Sequence, residues 1–430
     1  MERIIKRNLK ILIITQYFWP ENFRVNELSE ELTKLGHQIT ILTGYPNYPK
    51  GDIYQKFKSN FTKYTKYKGA EIIRVPILPR KKTKINLILN YSSFLVNSIL
   101  IGFFKLKGKN FDIILTYQLS PVTVGITSAF FSFIKNCPNI FWIFDLWPDT
   151  LIALNILKKR WQIKISKILV NMIYSRCDVI LAQSKSILKE INNYSSVKKN
   201  AYYLPSWGES ELFFEAKKPA PEINLRENIF TIIFAGNIGE AQDFPNIIKA
   251  VKHLSLQNIE GFRIVIIGEG SKKEWLKKEI KKLKIEKYFD IYKSYPMKRM
   301  GSFFLHADAL LVSLSNKKVF NMTIPGKVQF YLSSGIPIIG MISGEGAKLI
   351  KKSKAGFVCN SSDYLGLAKI IKKIIILDKK DLQKIGLRGK LFADKEFSKN
   401  NVIKILNKLL IKTYKNKLTK TNFRKFLKTK

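Results

Sequence analysis

Short runs of β-branched and aliphatic residues recur along this chain, separated by polar loops and by apolar residues at helical spacing. Lys10 to Thr15 is the first run and has the character of a parallel strand covered on both faces. A loop from Gln16 to Arg24 follows, then helical spacing from Val25 to Leu35 ended by Gly36, then a strand from Gln38 to Thr43. A strand–helix–strand unit of this size requires a right-handed crossover and a parallel sheet. Ile72 to Val75, Ile113 to Thr116, Ile140 to Phe144 and Val179 to Ala182 continue the series. Pro205, Gly208, Pro219 and Pro221 interrupt it and mark a linker. A second series then runs through Phe230 to Ala235, Arg263 to Ile267, Phe289 to Tyr292, Ala309 to Ser313 and Pro337 to Gly340. The expected fold is α/β, with two Rossmann-like doubly wound domains and a cleft between them as the natural site. The expected bounds are 1–207 and 208–394. A helix at about 395–412 packs back on the first domain, and a basic tail covers 413–430.

With 430 residues, 46% of them hydrophobic, the chain can bury two cores. Its formal net charge of +43 suits a polyanionic partner, and equally reflects a Lys-rich composition spread over the whole sequence, so charge alone selects no partner. Cys137, Cys177 and Cys359 lie far apart, which points to a reducing compartment and away from a zinc site. His37, His253 and His306 are too scattered to form one either. Met1 to Lys10 is basic, but the apolar run behind it is too short for a secretory leader. Ile85 to Phe104 carries no charge over 20 residues. Its length suits a bilayer span, but Asn86, Asn90 and Asn97 interrupt it and it lies between strands of one sheet, so a domain helix with a lipid-touching apolar face is expected. The Lys-rich segment from Ile411 onward suits anionic lipid or a solvated end.

Three loops of the second domain suit a phosphate. Gly236-Asn237-Ile238-Gly239 ends its first strand, and Gly268-Glu269-Gly270 ends the next; glycine there lets backbone approach a ligand closely. Either alone is a weak signal, since Gly after a strand is usually only a turn. The third is Thr323-Ile324-Pro325-Gly326-Lys327, with Thr323 as a cap, Pro325 in the first helical turn and Lys327 adding a full charge. Convergence of all three at consecutive strand ends favours an anion site over three turns.

These loops, with Tyr17-Phe18-Trp19-Pro20-Glu21, Gly36-His37, Tyr45-Pro46-Asn47-Tyr48-Pro49-Lys50-Gly51 and Asp145-Leu146-Trp147-Pro148-Asp149, carry a resemblance along nearly the whole chain. The sequence resembles glycosyltransferase family 4, the retaining GT-B enzymes. It looks most like the subgroup that builds O-antigen, colanic-acid-like and capsular glycans, including amino-deoxy-sugar (N-acetyl-fucosamine-type) transferases. It also departs from the wider family. Asn237 and Asp243 stand where that family carries an Arg and a Lys facing the donor diphosphate, and Met322 and Phe330 stand where it carries two Glu. Lys327 is placed to replace the missing positive charge and Gln329 a missing polar contact. The alternatives are a pattern proper to the subgroup or an impaired donor site, and the intact glycine loops favour the first.

The resemblance implies a nucleotide-sugar donor, a UDP-sugar, held by Gly236, Asn237, Gly239, Gln242, Gly268, Gly270, Thr323, Pro325, Gly326 and Gln329, with no cofactor and no catalytic metal. Pro296 and Met297 either line the nucleobase pocket or belong to a surface loop. Lys327 and Asp145 are the catalytic candidates: Lys327 for leaving-group charge, Asp145 for the acceptor hydroxyl or for positive charge on the sugar ring, with a helix cap as the plain alternative for Asp145. Glu21, Asn22 and Trp147 are candidates for acceptor or sugar contact, the plain alternative for Glu21 and Asn22 being a polar loop and for the loop aromatics core packing. The implied acceptor is a glycan, lipid-diphosphate-linked, and the implied location is the cytoplasmic inner face of the membrane, on an anionic surface, with no nucleic acid. Competing readings are a nucleotide-sugar 2-epimerase, against which the scarcity of His counts, and a non-catalytic basic membrane- or nucleic-acid-binding protein with a degenerate donor site.

Overall fold

The computed structural model describes residues 8–428 except 50, 82, 154–155, 195–199, 209–215, 217 and 225, with side chains in the last helix as far as 419. It divides into two compact units, residues 1–204 with 400–430, and residues 205–399.

The first unit is built on an eight-stranded sheet: β1 Lys10–Ile14, β2 Gln38–Gly44, β3 Lys66–Tyr67, β4 Ala70–Val75, β5 Ile113–Gln118, β6 Asn139–Ile143, β7 Val179–Ala182 and β8 Ala201–Tyr203. Its order is β3-β4-β2-β1-β5-β6-β7-β8, parallel except for the β3–β4 hairpin. β5 and β6 are buried along their whole length, as continuous apolar runs between two helical layers must be. Helices Lys84–Lys105, Val124–Ile134 and Arg160–Ser175 connect β4 to β5, β5 to β6 and β6 to β7. The chain reverses sheet direction between β1 and β5, so ligands belong at the carboxyl ends of those strands. Trp19–Pro20, Tyr48–Pro49, Ser120–Pro121 and Trp147–Pro148 are cis, and each lies beyond the carboxyl end of one of the adjacent strands β1, β2, β5 and β6.

The second unit holds a six-stranded parallel sheet: β9 Phe230–Ala235, β10 Phe262–Ile267, β11 Phe289–Tyr292, β12 Ala309–Ser313, β13 Ile338–Met341 and β14 Gly356–Cys359, ordered β11-β10-β9-β12-β13-β14. Alternate residues of β9 enter separate cores. Ile232 and Phe234 pack with helix Phe244–Leu256, while Ile233 and Ala235 pack with Val328, Tyr331 and Phe303. The switch of direction falls between β9 and β12.

Three short strands escape the apolar-run reading. β3 and β8 have two and three residues, and β14 is half-buried on the sheet edge. The chain end also differs from expectation. A single helix, Lys399–Lys428, runs through both the expected helix and the expected tail, and from Asn400 onward it groups with the first unit.

Candidate donor-binding and acceptor-side sites

At the switch point of the second unit, the loops after β9 and β12 are tied together. Ser315 N donates to Ala241 O (2.8 Å) and Ser313 Oγ to Gln242 O (2.6 Å). The loops after β9 and β10 nest so closely that side chains are excluded. A Cβ on Gly268 would lie 1.9 Å from Gly236 O, and one on Gly270 would lie 2.2 Å from Ile238 O. Backbone bonds lock this nest: Ile238 N to Glu269 O at 2.9 Å and Lys272 N to Ile238 O at 3.0 Å. Gly236 has φ +138°, a conformation open to glycine and disfavoured for other residues.

Lys327 enters this nest from the first turn of helix Gly326–Ser334. A Cβ on Gly236 would lie 2.5 Å from Lys327 Cε, so the absent side chain makes the channel through which the lysine passes. Its Nζ sits 3.6 Å from the centroid of the Phe234 ring. That nitrogen is buried and makes no hydrogen bond among the described residues. Burial without a counter-charge depresses its pKa to about 7. The other cations beside the loops are paired: Lys272 with Glu240 (2.7 Å) and Lys273 with Glu269 (2.7 Å). A buried amine with no hydrogen-bond partner among the described residues, in the first turn of a helix and under glycine loops, makes this a candidate anion site.

In the first unit, a chain of polar side chains crosses the carboxyl ends of the strands. Asp145, just past β6, accepts from Trp147 Nε1 (3.0 Å), and its carboxylate is also held by Thr150 and Ser120. Burial pushes its pKa above the ordinary carboxylate range, against the pull of those three donors. Ser120 Oγ lies 3.1 Å from Tyr91 Oη, which bonds Tyr17 in turn. Arg80 Nη1 donates to Tyr17 Oη at 3.4 Å, and its guanidinium lies 5.4 Å from the Tyr48 ring centroid. Glu21 is buried and accepts from Asn47 N (2.8 Å), Tyr48 N (2.7 Å) and Phe18 N (3.2 Å), fastening the first loop to the second.

Two family models divide this chain between them. One described as "Glycosyltransferase Family 4" matches residues 22–205, and one described as "Glycosyl transferases group 1" matches residues 215–391. The chain is a glycosyltransferase of the GT-B type. It is 23% identical to the probable glycosyltransferase WbjE of Pseudomonas aeruginosa over 63% of this chain and 68% of that protein. It is equally 23% identical, with the same coverage, to WcaI of Escherichia coli K12, a putative colanic acid biosynthesis glycosyl transferase. Its fold matches that of Anabaena HepE, solved in complex with UDP and glucose, with a TM-score of 0.68 at 12% identity over 94% of this chain and all of HepE.

The transferase brings Gly236, Asn237, Gly239, Gln242, Gly268, Gly270 and Lys327 into one loop cluster. Within it, not every backbone N–H faces a ligand. Gln242 Oε1 accepts from Gly239 N (3.1 Å) and Asn237 Nδ2 (3.3 Å), so it shapes the loop from inside. Thr323 does not cap the helix at 326: its Oγ1 bonds Val319 O at 2.8 Å, closing the preceding short helix Lys318–Met322. Pro325 is the cap residue itself and Gly326 the first helical one, because proline has no N–H to leave unpaired there. Gln329 is buried, and its Nε2 donates to Ser206 O (2.8 Å), so the linker occupies the contact offered to a ligand. Pro296 and Met297 are exposed beyond β11, where Tyr295 stacks on Phe303 at 4.5 Å.

Phe330 and Met322 are both buried, and Phe330 packs in the second unit's core 5.4 Å from the Phe304 ring, so neither place offers an open carboxylate position. Asp243 is turned away as well, accepting from Asn246 Nδ2 (2.8 Å) and Ser362 Oγ (2.7 Å). In the first unit, Asp145 does not cap the helix that starts at Asp149. Trp147 is buried and offers no stacking face to a sugar. Glu21 has its carboxylate filled by backbone, while Asn22 is exposed. Tyr17 and Phe18 are core residues, and Trp19 stacks on Tyr64 (4.9 Å) and Tyr67 (5.3 Å). Tyr91 and Arg80 join the polar chain, although the motifs do not include them; Tyr91 stands inside an apolar helix and Arg80 among surface-like lysines.

Proposed function

We propose that this transferase moves a hexosyl unit, with retention at the anomeric carbon, from a UDP-sugar to a lipid-diphosphate-linked glycan in surface polysaccharide assembly. The observation that carries the reading is the buried, unpartnered Lys327 Nζ beneath Gly236 at the switch point of the second sheet. A nucleoside diphosphate placed there supplies the missing counter-charge. HepE, with UDP and glucose bound, supports the uridine donor, and WcaI supports the polysaccharide setting. The subgroup of amino-deoxy-sugar transferases fits the departures at Asn237, Asp243, Met322 and Phe330.

In the proposed step the bond from the anomeric carbon to the donor phosphate breaks, and a bond to the acceptor oxygen forms on the same face. The acceptor proton passes to a donor phosphate oxygen. Lys327, the first turn of helix Gly326–Ser334 and the nested loops stabilise the charge left on the diphosphate, so compensation comes from the chain itself. Asp145 orients the acceptor hydroxyl as one member of the polar chain that includes Tyr91 and Tyr17.

The apolar burial of Phe330 and Met322 favours a second reading, a degenerate donor site on a basic binding protein. One experiment separates the two. UDP is expected to raise the melting temperature of the full chain more than GDP or dTDP, and UDP-sugars then to support transfer to a lipid-linked acceptor. Absence of stabilisation by all three nucleotides would favour the degenerate site.

A further inference from the structure

We propose that helices Lys84–Lys105, Val124–Ile134 and Arg160–Ser175 together form a surface that lies in the headgroup layer of an anionic bilayer. The first two helices carry large apolar side chains on their outward faces. In helix Lys84–Lys105 the stripe facing the sheet is Asn90, Phe94, Ser98 and Gly102, all buried. Ile85, Ile88, Val96, Leu100 and Phe104 point outward, with Ile85 and Phe104 at 70% and 73% exposure. In helix Val124–Ile134 the inward face mixes small and polar Gly125, Thr127 and Ser128 with Val124 and Phe131, while Phe133 is 84% exposed. A helix that merely covers a sheet in water keeps its outward side polar.

Polar and small residues fasten these helices to the unit. Gln16 Nε2 donates to Asn90 Oδ1 (2.7 Å), Asn90 Nδ2 to Leu78 O (2.6 Å) and Asn97 Nδ2 to Pro76 O (2.8 Å). Ser98 and Thr127 hydroxyls meet at 2.8 Å, and a Cβ on Gly125 would lie 2.3 Å from Ile173 Cγ2. The three helices are therefore neighbours in one layer. The third helix adds Trp161, Ile165, Ile168 and Met172 outward, interleaved with exposed Lys164 and Lys167.

Charge names the occupant. Residues 78–111, 113–144 and 156–177 contain no Asp or Glu, while Lys158, Lys159 and Arg160 stand exposed at the start of the third helix. An apolar face edged by lysines and arginine matches anionic headgroups over acyl chains. Helix Lys84–Lys105 contains a segment, Ile85–Lys105, long and apolar enough to cross a membrane. Its three side-chain bonds from and to the sheet loops hold it flat on the unit, and crossing would break them. This surface deepens the reading of a lipid-linked acceptor, yet its measurement is separate: vesicle binding can fail while UDP stabilisation persists, and the reverse.

The test is flotation of the full chain with vesicles of phosphatidylcholine, alone or mixed with phosphatidylglycerol. Binding is expected to the anionic vesicles, with brominated lipid quenching Trp161, the one exposed tryptophan among the described residues. Replacing Leu100→Glu with Phe104→Glu, and independently Ile168→Glu on another helix, is expected to weaken binding at least about tenfold. The melting temperature and its shift with UDP should stay as in the wild type. Binding unchanged in both variants would overturn the proposal. So would wild-type protein that ignores vesicles but forms a dimer broken by Leu100→Glu, which would make a second copy the occupant. Resistance to alkaline carbonate extraction would replace a surface helix with a spanning one and overturn the flat geometry.

Discussion

Lys327 is a base held where its charged form is costly. Its pKa of about 7 lies below that of a free lysine, because burial against Phe234 removes water and no carboxylate replaces it. The folded protein therefore binds fewer protons than the unfolded chain between about pH 7 and the usual lysine range, and this residue makes stability rise with pH across that window. Filling the site with a diphosphate reverses the balance, since the anion favours the ammonium. UDP binding should take up a proton near neutral pH and weaken by up to about tenfold per pH unit above it. Calorimetry in buffers of different ionisation enthalpy measures that uptake, and Lys327→Met should abolish both the uptake and the pH slope. An affinity independent of pH in the wild type would remove Lys327 from the anion site. Asp145 belongs to the other unit and to another role. Asp145→Asn keeps the size and an acceptor for the Trp147 indole but loses the carboxylate. It should lower kcat by about a hundredfold, within the range for a positioned acid or base, and leave UDP stabilisation unchanged. Normal turnover would show that the carboxyl only completes local hydrogen bonding.

At the scale of elements, the donor loops owe their shape to where side chains are missing. Gly268→Ala would put a methyl 1.9 Å from Gly236 O, and the neighbour is backbone, so the loops must part. The expected cost is about 1–3 kcal/mol of stability, as for overpacking elsewhere, together with loss of the melting shift given by UDP. Thermal denaturation with and without UDP checks both; a variant that keeps the shift would show that the nest does not hold the nucleotide. This same geometry marks the limit of what the sequence reveals. Runs such as Phe230–Ala235 and Val179–Ala182 announce their strands because a buried parallel strand must be apolar throughout. Gly236, Gly268 and Lys327 announce an anion site, but no spacing says that Gln242 fills the loop from within or that Gln329 serves the linker. Both glutamines look free in sequence, and only the fold supplies the backbone partner. Glu21 and Trp147 were obscured likewise, since a carboxylate filled by three N–H groups and an indole turned onto Asp145 have the same letters as exposed ones. The outward apolar faces of the first unit's helices were half legible: the apolar content is plain, but which stripe of helix Lys84–Lys105 faces the sheet depends on Asn90 and Asn97 finding Leu78 O and Pro76 O.

At the scale of the whole molecule, the first unit is discontinuous: the chain leaves it at Leu204 and returns at Asn400. The returning helix docks at the end of the sheet away from the candidate site. His37, which precedes β2, accepts from Leu9 N at Nδ1 (3.1 Å), so its proton is on Nε2, which faces Asn407 Oδ1 at 2.9 Å. Val402, Ile403, Leu406 and Leu410 are buried. Full burial of one such side chain is worth about 1.5–3 kcal/mol, so four amount to about 6–12 kcal/mol, the same size as the whole stability of a typical domain. Removing residues 400–430 should therefore unfold the first unit, while a chain ending at Thr419 keeps every one of these contacts and should melt close to the full chain. Hydrogen exchange resolves the outcome by element. In the chain lacking residues 400–430, β1, β2 and β5 should lose protection, and β9 and β10 should keep theirs together with the UDP shift. Loss of protection throughout would mean that the second unit depends on the first for its stability. Full protection of β1 would mean that the sheet is held by its strands alone, with the helix a dispensable cover.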